Sequence, residues 1–237
     1  TGQKEPVSLG LLVDMSESML TKRAKARQAL MSFVRGIKAR DEVFLQTFSY
    51  RPELLQDFTD SRPLLIQATA QLRPNGKTAL YDAILDGLER VQRGQYGKKA
   101  LIVISDGLDT YSRASLEDTL KAIKNSRVLV YAIGIGSLHR RDRIAMSPLG
   151  RSFIVGGGPP PLTIEGVDTE LLQTLSGETG AKHFLLDIND VIGSADALDR
   201  ATETIAHELR QQYSLGYISP VTDNVYRDVR VETRRKG

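Results

Sequence analysis

Cysteine is absent from this chain of 237 residues. Its absence excludes disulfide bonds, a cysteine nucleophile and zinc sites with cysteine ligands, although it does not assign a redox compartment. The sequence also lacks an apolar run of the roughly 18–20 residues that a transmembrane helix needs. We therefore expect no direct insertion of this chain into a membrane.

An excess of one charge is lacking as well. The net charge is only +3, with 32 basic and 29 acidic side chains. Basic residues are locally enriched in the C-terminal stretch RDVRVETRRKG, which is typical of an exposed strand kept soluble by arginine and lysine. We therefore expect no nucleic-acid partner. The composition, with 41% hydrophobic residues, is sufficient for a full globular core.

The most informative stretch is VSLGLLVDMSES, from Val7 to Ser18. A short apolar run with polar residues on both sides is typical of a strand that is buried on both faces of a parallel sheet. Asp14 stands where this strand should end, and the carboxyl ends of such strands are where open α/β sheets bind ligands. The oxygens that follow in Ser16 and Ser18 would suit a hard cation such as Mg²⁺.

Strand and helix patterns alternate along the rest of the chain. This alternation predicts an α/β fold with a doubly wound, mostly parallel sheet and helices on both faces. The short connection after the second strand predicts one short antiparallel edge strand. The predicted strands cover 7–14, 41–50, 54–58, 100–105, 128–135 and 182–186, and the predicted helices cover 19–37, 61–72, 78–91, 115–124, 168–176 and 194–211.

We expect residues 1–237 to form a single domain with two additions. The pattern fails between residues 137 and 164, which contain GGGPPP, and this range is interpreted as a surface insertion. Residues 213–233 contain two alternating segments around a turn-rich SPVTDN, which predicts a C-terminal β-hairpin extension. In the first helix, Lys22, Arg23, Lys25 and Arg27 are expected mostly on the face away from the core.

Three predicted loops should meet at the carboxyl edge of the sheet. Together they offer five side chains with oxygen atoms, namely Asp14, Ser16, Ser18, Thr78 and Asp106. These residues stand in DMSES, in NGKTALYDAI and in VISDG. This set resembles the metal-ion-dependent adhesion site (MIDAS) of the von Willebrand factor A (VWA) domain family, whose pattern is D-x-S-x-S, then a threonine that opens a helix, then an aspartate after an apolar strand. The resemblance extends from about Val7 to Gln211.

The resemblance implies a Rossmann-like VWA fold and a metal site made by those five residues. Mg²⁺ is the expected ion, with Mn²⁺ or Ca²⁺ as alternatives. It also implies that the ion keeps a coordination position for an aspartate or glutamate of a protein partner, since neutral hydroxyls leave part of its charge uncompensated. Glu17 departs from the family pattern, in which a small residue is common. Its carboxylate would either affect the ion or point into solvent.

The leading hypothesis is therefore a divalent-cation-dependent adhesion or protein-binding module that is not an enzyme. A second hypothesis is a metal-assisted hydrolase or phosphatase with Asp14 as its nucleophile. Such an enzyme should have a second acid two residues later, where this chain has Ser16. A third is a structural scaffold with a non-functional metal site.

Other residues and motifs in the sequence give weaker indications of function. Asp82 and Asp109 are expected in turn or helix-surface roles. The GKT at Gly76 to Thr78 is not a phosphate-binding loop, because the required first glycine would stand at Gln71. His139, His183 and His207 are too far apart in sequence to form a local ligand motif.

Location is predicted from two features. The chain starts abruptly, without a signal peptide before Val7, so we expect it to be part of a longer protein. The closing segment, YSLGYISP followed by RDVRVETRR, resembles the tail of a bacterial subgroup of VWA-related proteins that are predicted to be secreted, many of them from Acidobacteria. This resemblance implies an extracytoplasmic location, either secreted or periplasmic.

Overall fold

Strands and helices alternate along the chain in a computed structural model that describes residues 5–38, 40–140, 144–146, 152–154, 162–190 and 193–211. The strands are β1 (Val7–Asp14), β2 (Glu42–Phe48), β3 (Pro52–Thr59), β4 (Lys98–Ser105), β5 (Leu129–Arg140), β6 (Ile144–Met146), β7 (Ser152–Ile154), β8 (Leu162–Glu165) and β9 (His183–Asp187). The helices are α1 (Arg23–Gly36), α2 (Arg62–Thr69), α3 (Leu80–Gln92), α4 (Leu116–Ser126), α5 (Thr169–Gly177) and α6 (Gly193–Gln211).

Seven of these strands form one sheet with β1 at its centre. The order is β3-β2-β1-β4-β5, and β5 then pairs with β9 along one part and with β8 along another. The pairs β1–β2, β1–β4, β4–β5 and β5–β9 are parallel, which confirms the predicted doubly wound sheet. β3 is antiparallel to β2, as its short connection predicted. Because β1 and β4 are parallel neighbours, their carboxyl ends lie side by side.

Each face of the sheet is covered by helices. Alternate residues of β1 point to opposite faces. Leu9 and Leu11 belong to a core that includes α1, α2 and α6, whereas Leu12 belongs to a second core that includes α3, α4 and α5. All eight residues of β1 are buried, as expected for a central strand with helices on both sides. The last residue of β1, Asp14, is therefore anchored in a strand that is buried along its whole length.

The main differences from the predicted elements lie in the second half of the chain. β5 continues to Arg140, five residues beyond its predicted end at Ile135, and in its extension it pairs antiparallel with β8. β6 and β7 pair with each other. The described parts of the range 137–164 are therefore strands, where the sequence predicted a loop without regular structure. The predicted hairpin at 213–233 lies outside the described residues.

The first helix also begins later than predicted. Residues Glu17–Met19 form a single 3₁₀ turn, and α1 starts only at Arg23. In the part of the chain that the structure describes, no helix is long and apolar enough to cross a membrane.

Candidate metal centre at the carboxyl edge of the sheet

Asp14 is the last residue of β1 and its side chain is completely buried. One carboxylate oxygen, Oδ1, accepts a hydrogen bond from the backbone N–H of Ser16 at 2.9 Å. The other, Oδ2, accepts one from the hydroxyl of Ser105 at 2.6 Å. Ser105 is the last residue of the neighbouring strand β4, and sequence reasoning did not assign it to the site. Both hydrogen-bond donors to Asp14 are neutral.

Burial has a direct electrostatic effect on this carboxylate. It raises the pKa of Asp14 from its ordinary value of 3.8 to about 6, because the charged form loses its solvation by water. The hydrogen bonds from Ser105 and Ser16 lower the pKa, and the negative charge of Asp106 raises it. Asp14 forms no ion pair with a described basic residue. At neutral pH it is therefore a buried anion that would be stabilised by a nearby cation.

The two serines of the motif lie just beyond Asp14. The hydroxyls of Ser16 and Ser18 are 2.9 Å apart, with Ser16 buried and Ser18 exposed. Between them, Glu17 has an exposed side chain, and its backbone N–H binds the carbonyl of Gly76. The exposed side chain of Glu17 agrees with the solvent-facing alternative for this departure from the motif.

The loop that carries Thr78 lies between the other two loops. The N–H of Asn75 binds the carbonyl of Met15 at 2.7 Å, which joins this loop to the one after β1. On the other side, the carbonyl of Thr78 accepts the N–H groups of Thr110 and Tyr111, each at 2.9 Å. Thr78 itself is buried. Backbone hydrogen bonds therefore hold all three predicted loops against one another.

Gly76 gives this loop its shape. Its φ of +80° lies in the left-handed region that favours glycine. A Cβ atom at this position would stand 2.1 Å from a ring carbon of Tyr50, so the tyrosine ring packs directly against the glycine backbone.

Asp106 follows β4 and is also completely buried, but its partners differ from those of Asp14. Its Oδ1 accepts the N–H of Leu108 at 3.2 Å. Its Oδ2 lies 2.8 Å from the ammonium of Lys22, with which it forms a buried salt bridge. The backbone carbonyl of Asp106 accepts the N–H of Asp168, which joins the start of α5 to the site.

The position of Lys22 corrects the sequence interpretation. Lys22 and Lys25 were expected on the exposed face of the first helix, yet both are buried. Lys22 precedes α1, where the helical periodicity does not apply, and its ammonium also donates to the carbonyl of Gly166 at 2.8 Å. Lys25 donates to the carbonyl of Asp190 at 3.1 Å. A count of charges on a helical projection cannot detect a lysine that is buried with a specific acceptor.

Asp82 and Asp109 have structural partners. Asp109 Oδ1 accepts the N–H of Leu80 at 2.8 Å, at the start of α3. The carboxylate of Asp82 accepts the N–H groups of Arg113 and Ala114. These contacts agree with the turn and helix-surface roles expected from the sequence.

The chemistry of the assembled residues fits a hard divalent cation. Two buried carboxylates and three hydroxyls are oxygen donors, which Mg²⁺ and Ca²⁺ prefer. Within the described ranges, no group of three or more histidine, cysteine, aspartate or glutamate side chains is placed to hold a metal. The candidate site contains only two acidic side chains, Asp14 and Asp106, and its other ligands would be hydroxyls, so it is not a group of that kind.

Several large side chains are exposed around this edge of the sheet. Leu20 and Leu108, each two residues beyond a residue of the candidate site, are 58% and 41% exposed. Tyr50 and Tyr111 are 48% and 49% exposed, and their rings meet edge to face with centroids 5.2 Å apart. The two tyrosine rings form a contiguous exposed pair, and contiguous exposed apolar side chains are typical of protein-interaction surfaces.

A cleft of about 540 Å³ opens beside Thr78. It is lined by Tyr50, Arg51, Pro52, Asp82, Tyr111 and Arg113. Lys77 lies at its side, with the ammonium 5.3 Å from the centre of the Tyr111 ring.

The sequence matches a known protein family. The family model of the von Willebrand factor type A domain matches residues 9–158. No curated protein matches the sequence significantly.

Solved structures of bacterial proteins have the same fold. An aerotolerance-related membrane protein from Bacteroides fragilis NCTC 9343, with multiple mutations to serines, is 18% identical, with a TM-score of 0.63 over 87% of this chain and 100% of that one. The vWF domain of the type V pili tip protein Mfa5 from Porphyromonas gingivalis is 13% identical, with a TM-score of 0.61 over 93% and 100%.

A third structure, von Willebrand factor type A from Catenulispora acidiphila, is 15% identical, with a TM-score of 0.63 over 87% of this chain and 43% of that one. At these identities the similarity shows a common fold.

Proposed function

This chain belongs to the von Willebrand factor type A domain family, and we propose that it is a divalent-cation-dependent protein-binding module. The proposed site consists of Asp14, Ser16, Ser18, Thr78 and Asp106, and Mg²⁺ is the proposed ion. Bound there, the ion would supply the positive charge to which a carboxylate of a protein partner binds. The observation that carries the proposal is the burial of Asp14 at the end of the central strand with neutral hydrogen-bond partners.

The chain's own residues explain why binding is favoured over catalysis. Ser16 stands where a hydrolase that used Asp14 as its nucleophile would need a second acid, and its hydroxyl lies against that of Ser18. The exposed side chains of Leu20, Tyr50, Leu108 and Tyr111 offer a partner apolar surface at the same edge. Exposed aromatic and apolar side chains around a polar site suit the binding of one acidic side chain within a larger interface, since aromatic residues are enriched at protein interfaces.

We also propose an extracytoplasmic location. The proposal is supported by structures of the same fold that come from a membrane protein and from a pilus tip protein. Fractionation of the native organism with an antibody to the domain would test it, and recovery of the protein with the cytosol would contradict it.

Isothermal titration tests the binding function. We expect Mg²⁺ to bind the purified domain, and an aspartate-containing peptide to bind more tightly when Mg²⁺ is present. The coupling must be reciprocal, so the peptide should raise the Mg²⁺ affinity by the same factor. A peptide with asparagine in place of aspartate is the control ligand.

Two protein variants complete the test. Asp14→Ala should lose Mg²⁺ binding and the Mg²⁺-dependent part of peptide binding. Asp57→Asn, which changes an exposed aspartate on β3, should retain both. If Mg²⁺ binds and no acidic peptide alters its affinity, the domain is a scaffold with a metal, and the binding proposal is wrong.

A further inference from the structure

We infer that Lys22 is a built-in counter-ion that weakens metal binding in this domain and strengthens the attraction of the bound ion for a partner's carboxylate. The inference rests on the proposed function and concerns the regulation of the same site. It starts from geometry, since the Lys22 ammonium lies 2.8 Å from Asp106 Oδ2 and the two side chains are 9% and 0% exposed. A salt bridge so well shielded from water is screened far less than a surface pair.

A count of formal charges shows the effect. Asp14 and Asp106 together contribute two negative charges, and Lys22 reduces their sum to one. A divalent ion among these three groups would leave one net positive charge for a partner. Without Lys22, the two carboxylates would neutralise the ion completely. Glu17 adds little to this balance because its side chain is exposed and therefore screened by water.

The hydrogen bonds of Asp106 support the same conclusion. Both of its carboxylate oxygens already have donors, Leu108 N–H on Oδ1 and the Lys22 ammonium on Oδ2. Lys22 is held in place by its second bond, to the carbonyl of Gly166. Asp106 is therefore largely compensated before any ion binds, and Asp14 is left as the main source of negative charge.

Neutral substitution of Lys22 tests the inference. Even at the dielectric constant of water, about 80, removal of one unit charge about 6 Å from a divalent ion changes affinity roughly tenfold, and shielding from water increases the effect. We expect Lys22→Met to bind Mg²⁺ about tenfold more tightly in isothermal titration. At saturating Mg²⁺, its affinity for an aspartate-containing peptide should fall about tenfold. Lys25→Met is the matched control, because it removes a buried lysine that binds a backbone carbonyl instead of Asp106.

A second pair of variants keeps the inference testable if Lys22→Met does not fold. Lys22→Met leaves Asp106 buried without its counter-ion, whereas Lys22→Met combined with Asp106→Asn removes both charges of the pair. Relative to Asp106→Asn alone, the double variant should also bind Mg²⁺ about tenfold more tightly. Unchanged or weaker Mg²⁺ binding on loss of Lys22 in either folded background would overturn the inference. Failure of the native domain to bind Mg²⁺ would instead refute the proposed function.

A different observation supports a second inference, which also rests on the proposed function and concerns the partner. We propose that the cleft beside Thr78 receives a second acidic side chain from the same partner segment whose first carboxylate reaches the metal site. Arg51 and Arg113 line this cleft and are exposed, and neither forms an ion pair with a described residue. The lining acid, Asp82, already accepts hydrogen bonds from the N–H groups of Arg113 and Ala114.

The position of the cleft fits such a segment. Tyr50 packs against Gly76, and the N–H of Tyr111 binds the carbonyl of Thr78, so both aromatic walls are fixed to the loop that carries a proposed metal ligand. The ammonium of Lys77 adds a third positive charge at the edge. Arginine favours carboxylates because its planar guanidinium can donate two parallel hydrogen bonds.

Peptides with one and with two acidic residues test this inference. In the presence of Mg²⁺, we expect the native domain to bind a peptide with a second acid, one to four residues from the first, about tenfold more tightly than a peptide with one. The combined variant Arg51→Glu and Arg113→Glu should lose this preference. The control variant Lys121→Glu and Lys124→Glu makes the same change in net charge on the exposed surface of α4 and should keep it.

The outcomes distinguish the acidic subsite from Mg²⁺-dependent binding itself. Equal affinity of the native domain for both kinds of peptide would overturn the acidic subsite while leaving Mg²⁺-dependent binding intact. Loss of the preference in the α4 control as well would show long-range charge attraction, and would also overturn it.

Discussion

The two aspartates of the candidate site lie at the carboxyl ends of neighbouring strands, yet their environments are opposite. Asp14 is buried with neutral donors only, whereas Asp106 is buried with an ammonium 2.8 Å away. A buried carboxylate needs compensation, and the two positions obtain it differently, one from a lysine of the chain and the other, as we propose, from a metal ion. Identical residues in a motif therefore need not contribute equally to it.

The largest expected effect is on the Asp106 side of this comparison. Asp106→Ala leaves the Lys22 ammonium buried without its carboxylate, and should lower the free energy of unfolding by about 3–5 kcal/mol. Urea denaturation in the presence of EDTA measures this effect without a contribution from metal. The variant with both Lys22→Met and Asp106→Ala should regain most of the loss. If Asp106→Ala alone were as stable as the native domain, the salt bridge would not have the structural role assigned to it.

On the Asp14 side, the main effect should fall on metal binding. Asp14→Asn removes the carboxylate that has no cation of its own, and should weaken Mg²⁺ binding about 100-fold in isothermal titration. The same variant should be at least as stable as the native domain in EDTA, because it no longer buries a charge. A large loss of metal-free stability would contradict the contrast between the two aspartates.

The acid–base behaviour of Asp14 gives a third prediction. Its pKa is raised by burial to about 6 in the folded domain, from 3.8, so the folded state binds a proton more readily than the unfolded state. Metal-free stability should therefore be greater near pH 4.5 and fall by about 2 kcal/mol as the pH rises through 6. Urea denaturation from pH 4.5 to 7.5 checks the direction, and Asp14→Asn should remove this component. Lys22 and Asp106 are unchanged in that variant, so it isolates Asp14.

The smallest effect is expected at Ser105. Its hydroxyl donates a hydrogen bond to Asp14, as the Lys22 ammonium does to Asp106. Ser105→Ala removes a hydrogen bond of 2.6 Å to Asp14 and should lower stability by about 1–2 kcal/mol. Because this hydrogen bond lowers the pKa of Asp14, its loss should also move the pH-dependent step upward. Ser126→Ala, which removes a hydroxyl bound to a helix carbonyl far from the site, is a suitable comparison. An unchanged step in Ser105→Ala would show that the hydroxyl does not tune Asp14.

Local patterns were enough to predict much of the fold. The apolar run that ends at Asp14 and the regular spacing of α3 both reflect burial on a known face, and burial depends directly on the local sequence. β8 was not predicted, because its pairing with the end of β5 is a contact between distant segments in a stretch without periodicity. The first turn of α1 was predicted too early because Glu17–Met19 form a 3₁₀ turn, in which the N–H of Glu17 binds the distant carbonyl of Gly76.

The candidate site was predictable in its acids and hydroxyls but not in the groups that support them. Asp14, Thr78 and Asp106 follow strands or open a helix, so their spacing is visible in the sequence. In the sequence alone, Ser105 cannot be distinguished from the other residues of its strand, and Lys22 is one of several charged residues near an amphipathic helix. Their roles depend on which buried acceptor each one reaches, and that is decided only when the strands and helices pack.

Gly76 limits how the proposed binding surface can be changed. Its backbone lies against the ring of Tyr50, and any side chain at position 76 would meet that ring at 2.1 Å. The loop that presents Thr78 and the aromatic wall of the cleft are therefore a single mechanical unit, and neither can be redesigned without the other. A protein engineer who wished to change the partner of this domain would keep Gly76 and Tyr50, and would begin with Arg51, Tyr111 and Arg113.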